Sequence, residues 1–390
     1  MKIYTTCSTG INLALKHYNQ FNTKMRWIYD KSALLKQAKN WSTCIPWIKP
    51  YYAIKSNPVS YILEDLVEYN KSIKFKYLHD TIKPHQIGLD VASIKETLTA
   101  LKYLSIDNTI YTNPHTIPHE INEHLHIPFY IKVVDSICEL ELLNTYNIKC
   151  PILVRVNSST TLNKANINFN SKFGATIEES YKIIELAHKY NYDVKGVSFH
   201  IGSGGTYSRK EVFQSTYYVN AKPVLNYIEQ VFNKQSPDLV LNFGGGFLYN
   251  TDLKEALGWS EQLPYKMIAE PGRYFAEPSH HLAIQVIGIT ERGIFLDNGV
   301  YHELNCYHRD HWQMPLLTHC IEENNINKVV NYNSQTLFGP TCDSYDTIGL
   351  QKIPDDINVG DWILLPNMGA YTNAGAIDFN GIKSASSFIN

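Results

Sequence analysis

Charge is scarce in this chain and nearly cancels. Only 18% of its 390 residues are Asp, Glu, Lys or Arg, and 35 basic side chains set against 37 acidic ones leave a net charge of −2. A protein built to neutralise phosphates along DNA or RNA needs an excess of cations, so that class is set aside. Long apolar runs are missing too: none approaches the roughly 18 residues of a membrane span. The opening segment, MKIYTTCSTGINLALKHYNQ, has neither the apolar centre nor the small-residue cleavage site of a signal peptide. Cysteine is sparse, with seven residues at positions 7, 44, 138, 150, 306, 320 and 342 and no Cys-x-x-Cys pair. An odd, scattered set reads as reduced thiols of a cytosol-like compartment rather than a disulfide framework. Internal repeats, low-complexity linkers and charge blocks are also lacking. What remains is 44% hydrophobic, enough to bury a large core. The expectation is a soluble cytoplasmic protein of two or three domains, or one large barrel with an extra module.

Short Val, Ile and aromatic runs recur along the first two thirds: PYYAIKSN (50–57), IGLDVAS (87–93), TIYTN (109–113) and PFYIKVV (128–134). The series continues with PILVRVN (151–157), VKGVSFHIG (194–202), DLVLNFGGGF (238–247) and KMIAEPGRYF (266–275). Most end in polar, Gly or Pro breaks, as strands do. Helical stretches between them open with a hydroxyl followed three residues later by Glu, at Ser93/Glu96, Thr176/Glu179 and Ser208/Glu211. That is the spacing of a capping box, in which the hydroxyl accepts from the third amide and the carboxylate reaches back. Eight strands alternating with helices predict a parallel (β/α)8 TIM-like barrel over 31–278. Past about residue 280 strands follow one another with little helix, which predicts an antiparallel β-sandwich-like domain over 279–390. Residues 1–30 fit neither rhythm and are expected to add a strand to that domain.

Chemistry in such barrels gathers where strands finish. The residues there are Lys55, Asp90, Arg155, His200, Gly244-Gly245-Gly246, Glu270 and Arg273. A single strand lysine is ordinarily a surface group. Lys55, however, follows the apolar Tyr51-Tyr52-Ala53-Ile54, and a buried ammonium must be paired or deprotonated. A lysine deprotonated by burial is a nucleophile toward aldehydes. Gly202-Ser203-Gly204-Gly205 and Gly244-Gly245-Gly246 follow successive strands. Either run alone is most simply a turn, but glycines admit backbone amides close to an anion, and two such runs on late strands suit a phosphate. Arg273 adds a fork-shaped cation. Glu270 alone would be half of an ion pair; beside a phosphate cradle and an aldehyde-reactive amine it can hold a ring nitrogen protonated. Together these groups describe a site for pyridoxal 5′-phosphate.

At that point the chain resembles the fold-type III pyridoxal-phosphate decarboxylases, and within them the eukaryotic-type ornithine decarboxylases. The resemblance is carried by PYYAIKSN, GLDVASIKE, SKFGAT, VSFHIGSGG, NFGGGF, AEPGRYF, DNGVYHELNC, FGPTCDSYD and MGAYTNA with Phe379-Asn380-Gly381, spread from about residue 50 to 381. It implies that Lys55 condenses with the cofactor's aldehyde, that His200 stacks on its ring, and that Glu270 pairs with its nitrogen. Ser203, Gly245, Arg273 and Tyr371 would hold the phosphate, and Asp90, Glu96 and Arg155 would form the charged surround, although Glu96 equally fits a plain helix cap. Cys342 would return a proton to the product. Asp343, delivered from the other subunit of a homodimer, and Asp310 would take the distal ammonium of the substrate. Tyr301 and Phe379 would line the site, and Lys172 would bridge to Asp346 across the dimer.

The implied activity is decarboxylation of L-ornithine to putrescine in polyamine biosynthesis. Two departures keep lysine, arginine and diaminopimelate open as substrates: Ser344 stands after the Cys-Asp pair where glycine is usual, and Arg309 precedes Asp310 where an aromatic is usual. A non-catalytic regulator resembling antizyme inhibitor would have lost cofactor or substrate residues that this chain retains. A racemase of the same fold would carry arginine in place of Glu270. Cys306-x-His308-x-x-His311 has no evident fourth ligand, and no metal is expected.

Overall fold

The computed structural model describes residues 1–21, 27–72, 86–127, 130–160, 171–202, 209–323, 325–384 and 388–389. The chain divides into two compact units, one formed by Leu35–Phe275 and the other by Met1–Leu34 together with Ala276–Asn390. In chain order the strands begin with β1 (Ile3–Thr5) and β2 (Trp27–Tyr29). Eight follow: β3 (Ile48–Ala53), β4 (Gly88–Val91), β5 (Thr109–Tyr111), β6 (Lys132–Val134), β7 (Ile152–Arg155), β8 (Val194–Ser198), β9 (Val240–Asn242) and β10 (Lys266–Ala269).

β3 to β10 close a parallel barrel, the last strand returning to the first with Met267 opposite Ile48 and Ala269 opposite Pro50. Tyr51, Ile110, Ile131, Val133, Leu153, Val240 and Ile268 pack into one buried cluster, so the barrel is filled rather than hollow. Burying each aliphatic side chain contributes about 1.5–3 kcal/mol. Outer helices form where their start signals stand. Thr176 and Glu179 make the reciprocal capping box of the helix Ile177–Lys189, which buries Ser180, Ile183, Ile184 and Ala187 along one stripe. Ser93 caps Ile94–Ala100 through the amide of Glu96. Ser208 lies outside the described residues, as do 128 and 129 of the fourth expected strand.

The barrel strands are shorter than the runs that announce them. β3 stops at Ala53, and Lys55 stands in a single 3-10 turn, Ile54–Ser56. β9 stops before the glycines because Gly244 and Gly246 have φ of +62° and +105°, which a strand cannot continue through. The end of the last run, residues 272–275, expected as strand, lies instead in the short helix Gly272–Ala276.

The second unit continues with β11 (His280–Thr290), β12 (Gly293–Leu296), β13 (His319–Glu322), β14 (Asn325–Lys328), β15 (Tyr332–Phe338), β16 (Thr347–Pro354), β17 (Trp362–Leu365) and β18 (Phe388–Ile389). Its main order is β14-β13-β1-β17-β11-β12-β15-β16, with β2 paired to β11 and β18 to β2. The sheet is mixed, not purely antiparallel: β1 with β17, β12 with β15 and β18 with β2 run parallel. None of these pairs is joined by a tight hairpin, the connection that would force antiparallel order. Side chains alternate between two cores. Leu282, Ile284, Ile363 and Leu365 face one way, and Ala283, Trp362 and Leu364 face the other, packing with Leu13 and Ala14 of the helix Ser8–His17. Among the described residues no helix is long and apolar enough to cross a membrane. All seven cysteines are free thiols.

Candidate active site

The charged groups of the barrel unit converge where its strands finish. Lys55 Nζ lies 3.4 Å from Asp90 Oδ2; the lysine side chain is 42% exposed and the aspartate 1%. The expectation of an ammonium buried in a strand is thus corrected: two residues past β3, the side chain leaves the packed interior and meets a buried carboxylate at the mouth. Asp90 is fixed from its other side by the Thr112 hydroxyl, which donates to Oδ1. Glu96 donates its amide to Ser93 Oγ at 3.2 Å, and its carboxylate accepts from the Ala92 amide at 2.7 Å. It is a cap as well as a neighbour of the Lys55 and Asp90 charges, and burial raises its pKa.

Glu270, just past β10, is 9% exposed. Its Oε1 accepts from Asn242 Nδ2 at 2.7 Å, and Asn242 Oδ1 accepts from the Gly244 amide at 2.8 Å. The glycine turn and the carboxylate are thereby one hydrogen-bonded unit. Burial, and then the Asp90 charge, push the Glu270 carboxyl above its ordinary range, against the pull of Lys55 and Arg155. Arg155 ends β7 with its guanidinium 4.8 Å from the centroid of the Phe173 ring. Burial lowers its pKa while Glu270, Asp135 and Asp90 oppose the shift.

His200 follows β8. Its Nδ1 accepts from the Gly202 amide at 3.0 Å, so the proton of the neutral ring sits on Nε2. Burial, followed by the Arg155 cation, holds its pKa well below the usual histidine range. A Cβ on Gly245 would come within 2.5 Å of His200 Nε2, so a bare backbone is what admits the ring there. Arg273 is half-buried in the helix Gly272–Ala276. Ser203 lies outside the described residues.

In the β unit, Tyr301 donates its hydroxyl to Asp343 Oδ2, and the Tyr345 amide donates to Oδ1 at 3.0 Å. These bonds, the tyrosine's first, hold the Asp343 carboxyl below its ordinary range. The Tyr301 ring stacks on Phe379 with centroids 4.2 Å apart. Cys342 is exposed, and its amide donates to Asn380 Oδ1 at 3.1 Å. Asp310 follows the short helix Cys306–Arg309 and is half-buried. Tyr371 has φ of +58°, a left-handed conformation that is uncommon for a bulky side chain and characteristic of functional turns. Cys306 is buried in the core while His308 stacks on Tyr345, so the Cys-His-His spacing does not gather ligands. Among the described residues no trio of His, Cys, Asp or Glu is placed to hold a metal.

Against known proteins, residues 31–277 match the family model of the pyridoxal-dependent decarboxylase, pyridoxal binding domain. The chain belongs to the pyridoxal-dependent decarboxylases. It is 28% identical over 378 residues to the chloroplastic ornithine decarboxylase of Nicotiana glauca, covering 92% of this chain and 82% of that one. Identity to the ornithine decarboxylase of Schizosaccharomyces pombe is 28% over 376 residues, covering 92% and 81%. Among solved structures, the lysine/ornithine decarboxylase of Vibrio vulnificus complexed with cadaverine aligns with a TM-score of 0.76 at 27% identity, over 98% of this chain and 99% of that one. The arginine decarboxylase of Paramecium bursaria Chlorella virus aligns with a TM-score of 0.80 at 23% identity, over 96% and 100%, a likeness of fold. This chain is a pyridoxal phosphate-dependent carboxy-lyase.

Its residues fit that cofactor. Lys55 offers an accessible amine at the mouth, and Gly245 leaves bare backbone against the His200 ring. Glu270 is a carboxyl with a raised pKa, suited to sharing a proton with a ring nitrogen. Three contributors escaped the sequence reading: Thr112 behind Asp90, Asn242 behind Glu270, and Phe173 under Arg155. Asn242 and Phe173 lie inside NFGGGF and SKFGAT, so the motifs signalled them without indicating what they support. Thr112 carries no signal beyond its place after a strand.

Proposed function

We propose that this decarboxylase acts on L-ornithine foremost, releasing CO2 and putrescine for polyamine synthesis, with L-lysine as a weaker second substrate. The observation that carries the substrate reading is Asp343, a carboxylate held ionised by Tyr301 and the Tyr345 amide. A fixed anion is what the distal ammonium of a basic amino acid requires, and Asp310 supplies a second. Diaminopimelate would bring a second carboxylate against this acidic pair. Its natural counter-cation, Arg309, donates instead to the Gly375 carbonyl at 3.2 Å.

In this reading Lys55 holds the cofactor, with Asp90, Arg155, His200, Ser203, Gly245, Glu270, Arg273 and Tyr371 binding it. Bound there, pyridoxal phosphate supplies a ring that takes up the electron pair left when the α-carbon loses CO2. The neutral His200 ring presents an uncharged face, and Glu270 keeps a proton available at the ring nitrogen. Asp310 and Asp343 orient the substrate by its distal amine, with Tyr301 and Phe379 as the apolar wall. Cys342 then delivers a proton from Sγ to the α-carbon. We place the enzyme in the cytoplasm as a homodimer in which Asp343 serves the other subunit's site.

Parallel assays with ornithine, lysine, arginine and diaminopimelate test the reading. Ornithine should lead lysine in kcat/KM by about 10–200-fold, the discrimination one methylene allows. A lead by arginine or diaminopimelate would overturn the assignment.

A further inference from the structure

We propose that the buried ion pair of Lys132 and Glu139 positions Lys55, acting through the segment 112–116 whose Thr112 secures Asp90. The inference rests on the reading that Lys55 holds the cofactor. Side chains alternate along β6: Val133 packs in the barrel cluster, so Lys132 faces outward, toward the helix Ile137–Thr145. There its side chain is fully buried and meets Glu139, itself 2% exposed, with Nζ 3.0 Å from Oε1. For stability alone an ion pair is a costly choice, since apolar side chains of similar volume commonly do as well or better. Apolar side chains could not, however, bind the backbone that passes beside this pair.

That backbone is the stretch after β5, Thr112-Asn113-Pro114-His115-Thr116, in which Pro114 has no amide to donate. The pair supplies it with partners. Lys132 Nζ donates to the Asn113 carbonyl at 3.2 Å and stands 4.6 Å from the centroid of the Tyr111 ring. Thr112 is therefore flanked by two residues that both rest on the same ammonium. Glu139 holds the far end of the segment: its Oε2 accepts from the Thr116 amide at 2.9 Å and its Oε1 from the Thr116 hydroxyl at 2.6 Å. The Thr112 amide donates to the Val91 carbonyl at 2.9 Å, and its hydroxyl donates to Asp90 Oδ1. Asp90 Oδ2 then faces Lys55 Nζ. Directed contacts thus run from Lys132 through Asn113, Thr112 and Asp90 to Lys55, all within the barrel unit. A displacement of the segment would be passed to the amine, where an ångström matters.

The test is a double-mutant cycle between the paired substitution Lys132→Met with Glu139→Gln and the single substitution Thr112→Val. Both charges are removed together because one left alone in the interior could unfold the chain. The Kd for pyridoxal phosphate is read from visible absorbance, and kcat is taken per loaded site. Thr112→Val and the paired substitution should each weaken cofactor binding about tenfold, the scale of one hydrogen bond to a charged group. In both, kcat per loaded site should fall while KM changes little, because other groups hold the substrate's distal amine. Combining all three substitutions should weaken binding by no more than about threefold beyond either alone, because the two sites act through one route. A pair that merely stabilises the fold would act independently of Thr112, and the losses would multiply to about a hundredfold. Thr116→Val, which keeps both charges and drops one hydroxyl, should move binding the same way but less far; it carries the test if the paired variant does not fold. Independently of activity, the Thr112 amide should be protected from hydrogen exchange in wild type and exchange faster in the paired variant or in Thr116→Val. Unchanged cofactor binding, multiplied losses or unchanged exchange would each overturn the proposal. Retained visible absorbance in Lys55→Ala would overturn the reading of Lys55 instead, and exchange at Thr112 would still decide whether the pair holds the segment.

Discussion

Lys55 and Glu270 stand in opposite electrostatic surroundings. The lysine side chain is 42% exposed, with its Nζ set 3.4 Å from a buried aspartate. The carboxyl is buried against a neutral amide, Asn242, and held above its ordinary range. The accessible amine can reach an aldehyde, and the protected carboxyl can keep a proton that an exposed one would surrender. Lys55→Ala should abolish both the visible absorbance of bound cofactor and turnover, since Lys55 is the amine held against Asp90. Retention of both signals in that variant would remove Lys55 from the mechanism. Support behind these residues is harder to infer than the residues themselves. Chemistry announces a lysine or glutamate at a strand end, whereas Thr112 and Asn242 matter only through the hydrogen bond each makes to a group distant in the chain.

Among the elements, β11 carries a liability of its own. Its first residues, His280 and His281, are each 1% exposed. Burial lowers His281 to a pKa of about 4, with Asp30 pulling upward and His17 downward, and lowers His280 to about 3. Both folded values lie below the ordinary 6.5, so the unfolded chain binds more protons and stability falls as pH drops from about 6.5 toward 4, by up to about 1.4 kcal/mol per pH unit for each ring. Glu270, raised by burial, pulls in the opposite sense, so the informative measurement is a difference. In His281→Asn the amide oxygen can replace Nδ1 as acceptor for the Asn367 amide. Urea midpoints at pH 7 and pH 5 should differ less in that variant than in wild type; an equal or larger difference refutes the argument. Element identity was largely legible here, because hydrophobic runs and capping spacings are local signals. Seven of the eight barrel runs contain their strand, the first overlaps β3, which starts two residues earlier, and Thr176 caps as its spacing requires. Element ends were less legible: β9 stops before glycines that stand in the sequence, but β3 stops at Ala53 and no residue at Lys55 records that. The parallel partnership of β1 and β17 was equally invisible, since Ile3 and Trp362 share no sequence neighbourhood.

At the scale of the molecule, the homodimer reading makes a prediction no single subunit can satisfy. Lys55→Ala and Asp343→Ala should each be nearly inactive alone, yet mixing them should restore part of the activity, because a hybrid dimer contains one site with both groups intact. About a quarter of wild-type turnover is the most that random reassociation can return, half the dimers being hybrid with one working site each. No recovery after verified subunit exchange would count against a site shared between subunits. Within one subunit, the barrel unit is an insertion in the sequence of the β unit, whose parts lie on either side of it. β1 sits in the sheet with β13 on one edge and β17 on the other. On the ribosome, then, β1 must wait more than 300 residues for β13 and β17 to emerge before either of its edges is covered. The barrel can mature during translation while that strand stays unpaired, and a chain stalled before residue 362 would carry a bare β edge available to chaperones and to other nascent chains.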